Sequence, residues 1–126
     1  GKNKMRKFLK KSLDDYLLSR TFETKRENAL MFNDGQGYIH YQKGSLVFYA
    51  LSDYLGEKNL NKAISKYVNK VAFQDPPYTT SIELLDYVKE ATPDSLNYIL
   101  KDMFETITLY DNNAVSAVSK KMDKYV

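Results

Sequence analysis

The 126-residue chain contains no cysteine, no tryptophan and a single histidine, His40. Without cysteine, the chain cannot form disulfides, thiolate nucleophiles or cysteine metal sites. It also lacks H-E-x-x-H and any second imidazole, so it cannot supply the histidine pair of such a zinc site. The phosphate-binding G-x-x-x-x-G-K-[ST] and the nucleophile motif G-x-S-x-G are absent too. We therefore expect no metal to be bound by these residues.

Glycine and proline are also scarce, with five and three residues, and 43% of the chain is hydrophobic. This composition argues against disorder and leaves little room for long irregular segments. No apolar run approaches the ~20 residues that a membrane-spanning helix needs. We expect a soluble chain without a membrane segment, forming one domain or part of one. The sequence does not indicate a cellular location.

Positive charge is concentrated at the start of the chain, although the net charge is only +3. Six basic residues precede the first acidic residue, Asp14: Lys2, Lys4, Arg6, Lys7, Lys10 and Lys11. Such a stripe can contact phosphate groups or an anionic membrane surface. A solvated helix face is the commoner meaning of such a pattern.

Apolar periodicity, caps and helix breakers predict an all-α fold. Five helices are expected, over residues 5–20, from 38–41 to 54, 60–71, 80–88 and 92–104. Gly56 and the Asp75-Pro76-Pro77 segment are predicted stops, while Thr80 and Thr92 are predicted N-caps. Short links between helices of this length favour an antiparallel bundle or a superhelical layer.

Two further features modify this outline. Gly44 lies inside the strongly apolar second helix, where glycine costs about 1 kcal/mol relative to alanine, so it is predicted to allow close approach of a backbone or ligand. After residue 106 the pattern alternates over 107–110 like a strand, and 111–113 resemble a turn. We therefore expect a helical region over 1–106 and a connector towards a β domain over 107–126.

One ordered set of residues resembles a known family. The segment Tyr41-Gln42-Lys43-Gly44 opens the apolar stretch 45–51, and Leu55-Gly56-Glu57, Ala63-Ile64, Thr79-Thr80 and Phe104 follow in order. Residues 38 to about 106 together resemble the helical segment after the zinc-binding helices in zinc aminopeptidases of the aminopeptidase N family. The family's closing helix normally carries a tryptophan and a glycine-proline, which are missing here. This ending resembles a bacterial branch whose peptidase is attached to membrane-spanning, transporter-like segments.

The resemblance implies roles for particular residues. Tyr41 corresponds to the tyrosine that hydrogen-bonds the oxyanion when a peptide carbonyl is attacked. Helical spacing, and not the resemblance, suggests Tyr38: it lies one turn earlier and shares the face of Tyr41 if the helix already begins there, so it is expected to line the same substrate cleft. Lys43 and Gly44 are interpreted as structural, and His40 as an exposed or hydrogen-bonded neighbour of Tyr41. Zinc is the implied cofactor of the parent protein, held by an upstream zinc-binding domain. This segment alone is expected to bind no zinc and to hydrolyse no peptide.

Other interpretations stay open. A tyrosine at the start of a buried helix is usually a packing residue with a solvated hydroxyl. A rival hypothesis is a non-enzymatic helical interaction module, whose basic first helix docks an acidic partner, nucleic acid or a membrane surface. In a third, the parent protein has lost its zinc ligands and only binds peptides. The peptidase hypothesis predicts a peptide substrate, no nucleic-acid partner and a parent that is membrane-attached.

Overall fold

The computed structural model describes residues 2–107 and 115–119. Within these residues five α-helices pack together and no β-strand is found, which confirms the all-α prediction. The helices are α1 (Lys2–Thr21), α2 (Gly44–Leu55), α3 (Glu57–Val71), α4 (Ser81–Glu90) and α5 (Asn97–Leu100). Two 3-10 turns, Leu30–Phe32 and Asp94–Leu96, and two π-helical turns, Ile39–Lys43 and Lys101–Glu105, complete the fold. None of the described helices is both long and apolar enough to cross a membrane.

The hydrophobic core is centred on α2. Its inward positions Val47, Leu51 and Leu55 recur every four residues, so they form one buried face. They pack with buried residues of α3, α4, α5 and the final π-helical turn, which are Leu60, Leu85, Val88, Ile99, Leu100 and Phe104. The opposite side of α2 is more open than its sequence indicates, because Tyr49 and Tyr54 are exposed.

Glycine separates α2 from α3, and a threonine begins α4. Gly56 has a positive φ of 80°, which glycine adopts without strain, so α2 ends where predicted and α3 starts at the next residue. The hydroxyl oxygen of Thr80 accepts a hydrogen bond from the backbone N–H of Glu83 at 3.5 Å, as an N-cap does. This bond is one of the two that make up the predicted capping box. The Glu83 carboxylate accepts a hydrogen bond from the hydroxyl of Thr79 at 2.7 Å.

The prediction of one continuous fifth helix over 92–104 was wrong. Thr92 is not its N-cap, because the Thr92 hydroxyl donates to the carbonyl of Val88 at 2.7 Å and so closes the end of α4. Pro93 is extended (φ −59°, ψ 144°) and precedes the turn that starts at Asp94. The rest of the segment is divided between the 3-10 turn, α5 and a π-helical turn, and it still buries Ile99, Leu100 and Phe104.

The prediction for Gly44 was also too strict. A Cβ atom placed on Gly44 would lie 3.7 Å from the carbonyl oxygen of Ile39 and 3.8 Å from Cδ1 of Leu30. Both are ordinary van der Waals distances, and the backbone of Gly44 is α-helical. Alanine would therefore fit, so close approach does not require glycine here.

The predicted strand lies almost wholly outside the described residues. Of residues 107–110, the structure describes Ile107 alone, and the predicted turn at 111–113 also falls outside. Residues 115–119 are exposed and have no regular secondary structure. The division into 1–106 and 107–126 stays a prediction.

Candidate functional site

Tyr41 lies in the π-helical turn Ile39–Lys43 that leads directly into α2. A π-helical turn is rare, because its i→i+5 pattern is poorer than the α-helical one, and such turns occur frequently at functional sites. The turn is anchored by Ile39, which is fully buried. Tyr41 projects from it to solvent and is 70% exposed.

The Tyr41 hydroxyl makes no hydrogen bond to any residue among those that the structure describes. Its ring instead contacts the His40 imidazole, with ring centroids 4.3 Å apart and planes inclined by 55°. His40 Nδ1 lies 2.6 Å from Nδ2 of Asn33, so this ring is tied to the loop before the turn. The predicted environment of His40 is confirmed, and the phenol of Tyr41 is left available to a ligand.

Tyr38 has a different environment. Its hydroxyl donates to the carboxylate of Glu23 and accepts a hydrogen bond from the Gln36 amide at 3.4 Å. Its ring packs against Tyr16 with centroids 6.0 Å apart. A π-helical turn contains more residues per turn than an α-helix. Side chains three positions apart, such as Tyr38 and Tyr41, therefore point in more different directions than they do in an α-helix. The role of Tyr38 in a substrate cleft stays a prediction, and its hydroxyl already has protein partners.

A buried carboxylate lies behind the turn. Glu27, in the loop after α1, is 2% exposed and is surrounded by Tyr16, Arg20 and Lys43; we call these four residues the Glu27 cluster. The Tyr16 hydroxyl donates to both carboxylate oxygens, at 2.9 and 2.8 Å. Lys43 Nζ donates to Oε1, and Arg20 Nε forms an ion pair with Oε2 at 3.0 Å.

Pairing with cations explains why this carboxylate can be buried. An isolated buried ion is very costly, but here two cations and a neutral donor surround one carboxylate. Both cations also lie near the Tyr16 ring, with Arg20 Cζ 5.8 Å and Lys43 Nζ 5.9 Å from its centroid. Burial and the hydrogen bond to Glu27 raise the pKa of the Tyr16 phenol well above its usual value. Tyr16 therefore remains protonated, and remains a donor, at physiological pH.

Gln36 fixes the loop that carries Glu27. Its side-chain oxygen accepts from the backbone N–H of Asn28 at 3.1 Å, and its side-chain amide donates to the carbonyl of Arg26 at 3.3 Å. Gly35 beside it has a positive φ of 75°, as expected for the predicted turn. The loop on either side of Glu27 is thus bound to the segment just before the π-helical turn.

Sequence reasoning missed most of this cluster. Lys43 was identified, as a structural residue, and its ion pair with Glu27 agrees with that interpretation. Glu27 lies in a mixed-charge segment whose sequence predicts a loop, and Tyr16 follows the ordinary apolar pattern of α1. Neither carries a local signal of its role, because the cluster is assembled from three separate parts of the chain.

The surface around Tyr41 does not by itself form an enclosed site. A groove of about 400 Å³ lies between α1, α2 and α3, but Tyr41 does not line it. Its walls include Met5, Phe8, Leu9, Phe48, Tyr49 and Leu60. Within residues 2–107 and 115–119, no group of three or more His, Asp or Glu side chains is placed to hold a metal ion. The described residues therefore offer no set of side chains that fits zinc.

Comparison with protein-family models, curated proteins and solved structures finds no match to this chain. The family resemblance therefore rests on the ordered sequence features alone.

Proposed function

We propose that this chain is a helical segment of a zinc-dependent aminopeptidase, in which Tyr41 stabilises the oxyanion formed at the substrate carbonyl. The observation that carries the proposal is the state of the Tyr41 side chain. It is an exposed phenol without a hydrogen-bond partner among the described residues, on a π-helical turn at the start of a buried helix. Tyr78 and Tyr98 are also exposed, so what distinguishes Tyr41 is its place on this turn, in the segment that resembles the family motif.

A phenol suits this task. With a reference pKa near ~10 it is protonated at neutral pH, so it can donate to a developing negative charge. A donor held at the correct position before reaction stabilises the transition state more than the ground state. The helices behind Tyr41 would form one wall of the substrate chamber. The zinc ligands, the general base and the opposite wall would come from other parts of the parent protein.

The test is the Tyr41→Phe variant of the full-length, zinc-loaded protein that contains this segment. Loss of one oxyanion donor typically lowers the rate by about 10²–10³, equivalent to roughly 2.7–4 kcal/mol. We expect kcat for an aminoacyl substrate to fall by this factor, with zinc content unchanged. Tyr54→Phe is the matched control, because Tyr54 is also exposed but lies at the far end of α2. Equal activity of the two variants would refute the proposal.

The interaction-module hypothesis is the second candidate, and the exposed basic side chains of α1 favour it. Lys10 and Lys11 are engaged by Asp14 and Asp15 one turn later, which reduces the positive charge available to a partner. A docking module would bind duplex DNA or another polyanion with steep salt dependence. The peptidase proposal expects only weak retention that is lost at physiological salt. Persistent binding in 0.15 M salt would favour the module.

A further inference from the structure

We infer that Glu27 is a positioning residue for Tyr41, acting through Lys43 to fix the π-helical turn from which Tyr41 projects. This inference rests on the proposed function of Tyr41. Lys43 is the last residue of the turn and lies two residues after Tyr41. Its ammonium group is held by a carboxylate that is itself almost fully buried.

The Lys43–Glu27 ion pair acts at the end of the turn opposite to the buried Ile39. Ile39 anchors the beginning of the turn by burial, whereas Lys43 anchors its end through the Glu27 cluster. Tyr41 lies between the two anchors, and His40 is its aromatic neighbour among the described residues. The orientation of its phenol therefore depends on both ends of the turn being fixed.

Burial of a charged cluster favours a positional role over a stabilising one. A buried ion pair often contributes no more stability than well-packed apolar residues of similar volume, but it specifies one geometry. This cluster joins three parts of the chain: Tyr16 and Arg20 come from α1, Glu27 from the loop and Lys43 from the turn. The cluster thereby fixes the position of the π-helical turn relative to α1. An apolar contact would fix this position less precisely.

The decisive experiment is a double-mutant cycle between Glu27→Gln and Tyr41→Phe in the full-length, zinc-loaded protein. Misplacing a reacting group by about 1 Å can cost ~10²-fold in rate. We expect Glu27→Gln to lower kcat by about tenfold to 10²-fold while KM changes little. Added to Tyr41→Phe, it should cause no further loss beyond about twofold, because its effect passes through the tyrosine. Multiplication of the two losses, or no loss in Glu27→Gln, would overturn the inference.

Two further variants keep the test independent of folding. Tyr16→Phe removes both hydrogen bonds to Glu27 without changing charge. If Glu27→Gln does not fold, Tyr16→Phe replaces it in the cycle with Tyr41→Phe, with the same expected results. Glu105→Gln makes the same chemical change in the exposed Lys89–Glu105 ion pair and should leave kcat unaltered. Loss of activity in Tyr41→Phe but not in Tyr16→Phe and Glu27→Gln would refute the positioning role alone.

A spectroscopic readout separates this inference from the proposed function. The 126-residue chain has 11 tyrosines, and the Tyr41 ring signal in a ¹H–¹³C spectrum is the one that Tyr41→Phe removes. Because the His40 ring lies 4.3 Å away, a change in the conformation of the turn that reorients the Tyr41 ring relative to His40 changes the ring-current shift of Tyr41. Glu27→Gln and Tyr16→Phe should shift this signal, whereas Glu105→Gln should not. An unmoved signal contradicts the inference, even if Tyr41→Phe proves that the tyrosine is catalytic.

Discussion

Replacing Glu27 by glutamine tests how strongly the buried cluster holds the fold. Glu27 is 2% exposed and bound by Lys43, Arg20 and Tyr16, so the substitution leaves two cations close together without their carboxylate. Removing one partner of a buried ion pair typically costs 3–5 kcal/mol. Glutamine keeps one oxygen that can accept from Tyr16, so we expect the lower end, about 3 kcal/mol.

The matched control is Glu105→Gln, which makes the same substitution in a solvent-exposed ion pair with Lys89. Exposed pairs contribute about 0–1 kcal/mol, so this variant should stay close to the parent chain. Urea unfolding of the 126-residue chain, followed by far-UV circular dichroism, gives both free energies, and equal slopes establish that the unfolding transition is the same. Losses that agree within about 0.5 kcal/mol would show that the Glu27 ion pairs contribute no more to stability than an exposed pair, which contradicts this prediction.

Three other predictions concern the same chain. Gly44→Ala should stabilise it by about 0.5–1 kcal/mol, because alanine fits the helical site; a lower thermal midpoint would show an unseen clash. Thr80→Ala should cost about 1 kcal/mol by removing the N-cap of α4, and Thr80→Ser should restore most of it; equal midpoints for the two variants would argue against the cap. Because the pKa of Tyr16 is raised in the folded state, its contribution to stability is complete below the ordinary value of 10.0 and is lost as pH rises above it. Above pH 10, the unfolding free energy of Tyr16→Phe should therefore fall less steeply with pH than that of the unsubstituted chain, and the two slopes should differ by at most about 1.4 kcal/mol per pH unit. Urea unfolding at several pH values measures both slopes, and equal slopes would contradict the raised pKa.

The helices could be predicted from sequence where one local signal determines them. Apolar spacing located α1 to α4 within a few residues, and Gly56 and Thr80 marked their ends because a positive φ and an N-cap are local requirements. The last helical segment failed for a physical reason. Thr92 and Pro93 resemble a helix start, but the Thr92 hydroxyl bonds back to Val88, and that choice depends on how α4 ends.

The candidate site was predictable only in part. Tyr41 and Lys43 could be selected because they lie within one short segment that resembles a family motif. The Glu27 cluster could not, since Tyr16 and Lys43 are 11 and 16 residues from Glu27 in sequence and Arg20 lies on α1 with Tyr16. Long-range ion pairs carry no periodicity, and only the folded chain brings them together.

The most direct measurement of the central claim is the coding sequence immediately upstream of Lys2 in the source gene. We expect it to encode H-E-x-x-H, with a further glutamate on the next helix, because the proposed role of Tyr41 requires zinc ligands in the parent protein. Finding this motif would make Tyr41→Phe the next decisive variant. An upstream region without zinc ligands would contradict the catalytic role of Tyr41 and leave the helical interaction module as the better account.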